Sequence, residues 1–242
     1  MAANPRTLRV VAARAGGVAT RVLTIEETGG EGFRDIGGKY VIVHTGLVQD
    51  GKAVKRAYSL MRGAAGEGRA ELAVKRIGLG AGALHDAAPA STFTFSGPWG
   101  KLVPETGLAD RTLLVATDTG ITSALGVVEQ AARTPSARKL VVLWLLPLDD
   151  AFLGRDTVRA RVEGAGARLF CAELPAVGDE RRLQAALPHV TALAAESGAT
   201  HVIATGDGSV VHPLKTLLPG QVGSVTDVRC ECFFHNPEKK IG

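Results

Sequence analysis

Cysteine is scarce in this 242-residue chain: Cys171, Cys230 and Cys232 make up the whole set, an odd number with no metal-type spacing. That excludes a disulfide framework, and without a cysteine quartet the chain carries no plant-type iron–sulfur cluster of its own. Aromatics are also few, with seven Phe, two Trp and two Tyr, so packing falls to Val, Leu, Ala and Ile. No apolar run reaches the ~20 residues needed to cross a bilayer as a helix, and no membrane span is expected. The opening MAANPRTLRV lacks a basic segment followed by an apolar one, so a soluble, cytoplasmic protein is the expectation. His85, His212 and His235 share no ligand spacing, and no metal is expected. Net charge is +4, but Lys and Arg are scattered rather than gathered in a stripe among aromatics. A nucleic-acid role therefore has no support, whereas a mildly positive face suits an acidic protein partner.

What the chain has in quantity is glycine, 30 residues, which marks tight turns and close backbone approaches. The first part alternates short β-branched runs with glycine-bearing turns: LRVVAARA, ATRVLTIEE, GKYVIVHTG, RAYSLMR, AELAVKRIG and STFTFSGP. Their spacing, with no helical period between them, predicts an antiparallel β-barrel or sandwich. From residue 108 the pattern changes to the apolar runs RTLLVATD, KLVVLWLLP, ARLFCAEL and THVIATGDG, each followed by a stretch of helical period. Continuous hydrophobic strands between helices predict a doubly wound α/β domain with a parallel sheet, because helices there cover both faces. Pro and Gly in KLVPETGLADRT interrupt both periods and divide the chain into domains 1–107 and 108–242. The terminal SVTDVRCECFFHNPEKKIG reads as an alternating strand with a polar tail, in which two adjacent phenylalanines need cover.

Open α/β sheets bind ligands at the carboxyl ends of their strands. Two turns stand there. TDTGITS, residues 117–123, places hydroxyls and a glycine at the start of a helix, where free N–H groups suit a phosphate or pyrophosphate. TGDGSVV, residues 205–211, is a second glycine-bearing turn on the same edge, and the two together suit a dinucleotide. Ordinary turn chemistry is the plain alternative for each. In the β half, Arg56, Tyr58 and Ser59 of KRAYSLMR offer a bidentate cation, a flat ring and a hydroxyl donor. Arg56 and Tyr58 share a strand face, and Ser59 follows where the strand ends. GLGAGALHD, residues 78–86, is a glycine-rich loop able to turn several N–H groups toward one anion. An unliganded strand and a surface loop are the corresponding alternatives.

In this order, over nearly the whole chain, these pieces resemble the ferredoxin–NADP reductase family, in which a flavin-binding antiparallel β-barrel precedes an NAD(P)-binding α/β domain. RAYS resembles its R-x-Y-S flavin motif, GGKYVIV its G-Q-Y strand, GLGAGALHD its G-x-x-S-x-x-L-H loop and GPWGKL its barrel-closing G-P-F-G turn. ATDTGITS is similar to A-T-G-T-G-I-x-P, ATGDGSVVHPL stands at the second nucleotide turn, and CECFF resembles the terminal E-x-aromatic. The resemblance implies FAD, with FMN less favoured, and NAD(P)H as co-substrate. It implies that Arg56 holds the flavin phosphate, Tyr58 packs on the isoalloxazine, Ser59 hydrogen-bonds near N5, and the amides of Gly80, Ala81 and Gly82 cradle the pyrophosphate. Thr117, Gly120, Ile121, Gly206 and Asp207 would hold the nicotinamide nucleotide. Ser59, Glu231 and Phe233 would border the hydride-transfer site, with the C-terminal tail closing over the flavin.

The chain departs from the pattern at Ala81 for the loop serine, Asp118 for the first glycine of G-T-G, Ser123 for the proline and Thr205 for a frequent cysteine. Cys232 reads as a structural thiol. Asp149 and Asp150 read as turn residues; facing a ribose instead, they would favour NADH, because a carboxylate accepts from a 2′-OH and repels a 2′-phosphate. The leading expectation is a flavin-dependent NAD(P)H oxidoreductase serving a protein acceptor such as a ferredoxin, flavodoxin or oxygenase component. Two rivals stand beside it: a flavin-binding relay or assembly subunit that does not use nicotinamide, and a nucleotide-sensing module with no redox role.

Overall fold

A computed structural model describes residues 6–63, 66–133, 139–147, 149 and 152–237. The six expected N-terminal strands all form: β1 (Arg6–Gly17), β2 (Thr20–Thr28), β3 (Tyr40–Gln49), β4 (Lys52–Ser59), β5 (Arg69–Lys75) and β6 (Thr92–Trp99). They make one antiparallel sheet in the order β4-β3-β6-β1-β2-β5. In β3, Val41 and Val43 are buried while their neighbours are half-buried, the period-2 pattern of a strand with one face on a core. The chain just beyond β4 reaches across to the opposite edge strand, where Met61 and Glu71 exchange backbone hydrogen bonds of 3.0 and 2.7 Å. The sheet thus curls into a barrel around Leu8, Ile25, Phe33, Val41, Leu60 and Leu72.

Two motifs differ from their sequence reading. GLGAGALHD is not a loop: Gly78–His85 forms helix α1. Glycine opposes helix by about 1 kcal/mol per residue, but Ala81 and Leu84 are buried in the barrel core, and burying a leucine contributes roughly 1.5–3 kcal/mol. Tertiary packing outweighs propensity here. GPWG is likewise no simple turn, since Gly97, Pro98 and Trp99 close strand β6.

The second half contains β7 (Arg111–Thr117), β8 (Lys139–Leu146), β9 (Arg168–Glu173), β10 (His201–Asp207) and β11 (Asp227–Phe234), a parallel sheet in the order β11-β10-β7-β8-β9. Alternate residues of the central strands serve opposite cores. Leu114, Ala116, Val142 and Trp144 pack with α2 (Ile121–Ala131) and α3 (Arg155–Gly164), whereas Leu113, Val115, Val141 and Leu143 pack with α4 (Arg182–Ser197), α5 (Gly208–Val211) and α6 (Leu214–Gln221). This two-sided burial is why those strands read as unbroken apolar runs. The stretch VVHPLKTLLPG is split at Pro213 into α5 and α6.

The two halves interlock closely. A Cβ on Gly126 of α2 would lie 2.3 Å from the Leu60 carbonyl of the barrel. Glu71 of β5, 2% exposed, pairs with Arg14 of β1 and Arg161 of α3, each at 3.0 Å. Arg161 also meets Glu129 at 2.6 Å, and Glu129 accepts from the Arg62 and Gly63 amides at 2.8 and 3.0 Å. These contacts fix the barrel against helices α2 and α3 of the second half. Among the described residues no helix is long and apolar enough to cross a membrane.

Candidate active site

A cleft of about 620 Å³ lies where the barrel faces the carboxyl edge of the parallel sheet, a size suited to a cofactor. A depression beside Pro104 and His201 holds only about 10 Å³ and is too small for any such ligand. Strand β4 supplies Arg56, Tyr58 and Ser59 to one wall of the cleft; β11 supplies Glu231, Phe233 and Phe234, and the turn after β7 supplies Thr119.

Arg56 is exposed, Tyr58 is half-buried and Ser59, the last residue of the strand, is buried. Register explains this spacing, because Tyr40, Val41 and Val43 of β3 pair with Ser59, Tyr58 and Arg56 in turn. The Tyr58 hydroxyl is buried with no hydrogen-bond partner among the described residues, and burial pushes its pKa up to about 12 although the Arg56 charge pulls the other way. It is therefore a neutral phenol with an unused donor. Gly80 brings α1 against this strand: a Cβ there would stand 2.6 Å from Val54 Cγ1 and 3.2 Å from Arg56 Cγ. The free amides of the first turn of α1 and the Arg56 guanidinium thus lie together, a combination that suits a phosphate or pyrophosphate. Ala81 lines the cleft, while Gly82 has open space around its Cα.

On the opposite wall Glu231 is buried by desolvating neighbours, which pushes its carboxyl up to about 7, and its Oε2 atom has no hydrogen-bond partner among the described residues. An unpartnered carboxyl and an unpartnered phenol in one cleft are the signature of polar atoms awaiting a ligand. These donors, acceptors and flat walls fit FAD.

The nucleotide turns behave differently from their sequence reading. Thr117, Gly120, Ile121, Gly206 and Asp207 are buried and bound to one another rather than lining the cleft. The Asp207 amide donates to Thr117 Oγ1 over 2.7 Å, and Thr205 Oγ1 donates to the Gly120 carbonyl over 3.0 Å. A Cβ on Gly120 would meet the Thr205 carbonyl at 2.2 Å, and one on Gly206 would meet Thr117 Oγ1 at 2.3 Å. The glycines permit the two turns to touch. From this edge it is Thr119 and Thr122 that reach the cleft; both stand in the TDTGITS string, where their hydroxyls were the available signal.

Asp118 adopts a left-handed backbone (φ +51°) that favours glycine. Its carboxylate hydrogen-bonds Arg182 Nη2, and its carbonyl accepts from Trp144 Nε1 at 2.9 Å. Arg182, 1% exposed, also donates to the Pro175 carbonyl at 2.6 Å and places Nε 3.0 Å from Asp207 Oδ2, an ion-pair contact without hydrogen-bond geometry. Asp207 Oδ1 accepts from Ser209 and lies 3.0 Å from His235 Nδ1. Burial pushes Asp118 up to about 6; Arg182 opposes the shift and the Asp207 charge adds to it. One guanidinium shared by two carboxylates does not fully offset their desolvation. Nothing in the sequence pattern singled out Arg182 or Phe152; Phe152 lines the cleft together with Tyr40 and Ile42, which stand in the GGKYVIV strand. Cys232 packs against the α4–α6 core and borders the cleft. Asp149 is an exposed turn residue, and Asp150 lies outside the described residues.

A curled antiparallel barrel with a flavin-sized cleft, set against a doubly wound sheet, defines a flavoprotein oxidoreductase. Residues 31–103 match the oxidoreductase FAD-binding domain family. Over 231 residues, 91% of this chain and 94% of the relative, the sequence is 31% identical to ferredoxin–NADP reductase B of Sorangium cellulosum (strain So ce56). The chain belongs to the ferredoxin–NADP reductase family, a flavin-dependent oxidoreductase with FAD and NAD(P)H as its cofactors. The same fold recurs in the flavohemoglobin of Malassezia yamatoensis (TM-score 0.72, 15% identity, 95% of this chain) and in the ferredoxin reductase in carbazole 1,9a-dioxygenase (TM-score 0.68, 16% identity, 96% of this chain). The chain spans 60% of the flavohemoglobin and 71% of the carbazole reductase.

Proposed function

We propose that this protein moves a hydride from a reduced nicotinamide to bound FAD and delivers electrons singly to an acidic protein acceptor, a ferredoxin, flavodoxin or oxygenase component. The observation that carries this reading is the convergence of Arg56, Tyr58, Ser59, Glu231 and Phe233 on one cleft from two domains. FAD supplies the hydride acceptance and single-electron release that this exchange requires. The chain's own residues bind and orient: Arg56 and the α1 amides of Gly80, Ala81 and Gly82 hold the phosphates, and Tyr58 packs against the flavin ring. Ser59 donates a hydrogen bond near N5. Glu231, buried beside Phe233, holds a proton at its carboxyl near neutral pH. Thr119 and Thr122 face the nicotinamide nucleotide from turns that Thr117, Gly120, Ile121, Gly206 and Asp207 keep in shape. Phe233 and Phe234 of β11, which line the cleft, would cover the flavin ring and would have to move aside for the nicotinamide.

Residues 1–107 serve as the flavin domain and 108–242 as the nucleotide domain in this reading. The +4 net charge, with Lys52, Lys55 and Arg56 exposed on the cleft-side strand, supports an acidic acceptor. The names of the Sorangium relative and the carbazole dioxygenase reductase support a role in feeding electrons to a carrier or oxygenase.

The test is anaerobic titration of the purified protein. A yellow protein bleached by NADH or NADPH is expected, and a colourless one that gains no flavin on reconstitution would refute the reading. Asp118, an acidic residue in the nucleotide turn, favours the second reading of a relay without nicotinamide chemistry; flavin that dithionite reduces but neither nicotinamide does would select it.

A further inference from the structure

The carboxyl edge of the parallel sheet contains a charge arrangement that neither flavin binding nor hydride transfer requires. Asp118 and Asp207 end adjacent turns, at 3% and 0% exposure. Their inward-facing oxygens share one guanidinium, that of Arg182. Arg182 is the first residue of α4, a helix that contributes no residue to the cleft lining. Arg182 Nη1 also donates to the Pro175 carbonyl, so the side chain is held by two hydrogen bonds and by its ion pair with Asp207. Asp118 Oδ1 is buried with no hydrogen-bond partner among the described residues. It precedes Thr119, which faces the cleft, and sits one turn before α2, whose free amides and positive end favour an anion.

An unpaired carboxylate at that place would oppose the anion the helix end attracts. Two of them would do so more strongly, because the site is dry and poorly screened. We propose that Arg182 is a positioning residue for the nicotinamide nucleotide: by pairing with Asp118 and Asp207 it removes their charge from the path of the pyrophosphate and holds Asp118 in the left-handed turn. Arg182 touches neither the cleft nor the ligand and acts through the two aspartates. The inference rests on the proposed use of nicotinamide. It adds that an aspartate held in a left-handed turn is compensated by a guanidinium from a helix distant in sequence.

The test uses the FAD-loaded protein and equilibrium binding of NAD⁺ and NADP⁺ by calorimetry, so that no turnover is needed. Arg182→Met leaves both carboxylates uncompensated and is expected to weaken binding of the preferred nucleotide by about tenfold or more. Arg182→Lys keeps the charge but loses the fork, and should fall between Met and the wild type. Adding Asp118→Gly to Arg182→Met removes half of the repulsion and is expected to recover most of the lost affinity. Asp118→Gly alone makes the turn less negative and suits its backbone, so binding should tighten by roughly threefold to tenfold. That single variant decides the matter if Arg182→Met does not retain flavin. Unchanged binding in a folded Arg182→Met, no recovery in the double variant, or weaker binding in Asp118→Gly would each overturn the inference. Wild-type protein that binds neither nucleotide, with flavin unreduced by NADH and NADPH, would instead overturn the proposed function itself.

Discussion

The backbone amide of Asp207 donates a 2.7 Å hydrogen bond to Thr117 Oγ1, joining the turn after β10 to the turn after β7. Both groups are buried, so no water replaces either partner when the other is lost. The two nucleotide turns are therefore one structural unit, and its hydroxyl is a point at which that unit can be opened without changing side-chain volume.

Thr117→Val keeps the shape and removes the acceptor. A buried amide left unpaired costs about 1–3 kcal/mol, so the urea midpoint should fall accordingly, with affinity for the nicotinamide nucleotide falling alongside it. Equal midpoints for the two proteins would show that the Asp207 amide finds another partner.

Arg56→Ala and Ser59→Ala should separate binding from chemistry. Losing a charge-assisted contact to phosphate, about 1.5–3 kcal/mol, weakens FAD retention by roughly ten- to hundredfold. Losing one neutral hydrogen bond at Ser59 should leave flavin content high and slow reduction by about threefold to tenfold. Flavin content and stopped-flow bleaching check the pair, and wild-type values for both variants would refute the site assignment.

Glu231 has a folded-state pKa of about 7, above its ordinary 4.5, because burial disfavours the carboxylate. The folded protein thus binds more protons than the unfolded chain between those values, and stability must fall as pH rises through that window. Discounted for its partial exposure, the loss is on the order of 2 kcal/mol. Denaturation of flavin-free protein at pH 5 and pH 8 should show it, and Glu231→Gln should reduce the difference, leaving the part due to Asp118, whose carboxyl burial pushes up to about 6. A wild type whose stability rises across the same interval, with the Gln variant unchanged, would contradict the assignment.

Gly126→Ala would normally strengthen a helix by up to about 1 kcal/mol. Here the added methyl would stand 2.3 Å from the Leu60 carbonyl, and backbone must give way. A net loss of about 1–3 kcal/mol is expected, together with slower flavin reduction as the barrel shifts from the sheet edge. Increased stability in a thermal melt would show that the interface yields freely.

The strands were legible because each stands in one environment along its length. Alternating burial in β3 and continuous burial in β7 and β8 are imprinted residue by residue, so period identified an antiparallel barrel or sandwich followed by a doubly wound sheet, and the family resemblance chose the barrel. Arg56, Tyr58 and Ser59 were legible as cleft candidates from the chemistry of one short string, whereas Glu231 and Phe233 entered only through the family resemblance; all five line one cleft. Helix α1 was not, because glycine argues against helix and only the barrel core that receives Leu84 overrules it.

By itself the sequence determined the order of a β half and an α/β half, several residues that line the cleft between them, and the presence of an aspartate where a turn favours glycine. Tertiary structure alone decided what that aspartate means. Asp118 and Arg182 are separated along the chain by a helix, two strands and another helix, and no local pattern links them. Only folding brings Arg182 from the start of α4 to the buried carboxylates of two other turns, because ion pairing depends on distance in space and on the exclusion of water, neither of which a linear string records.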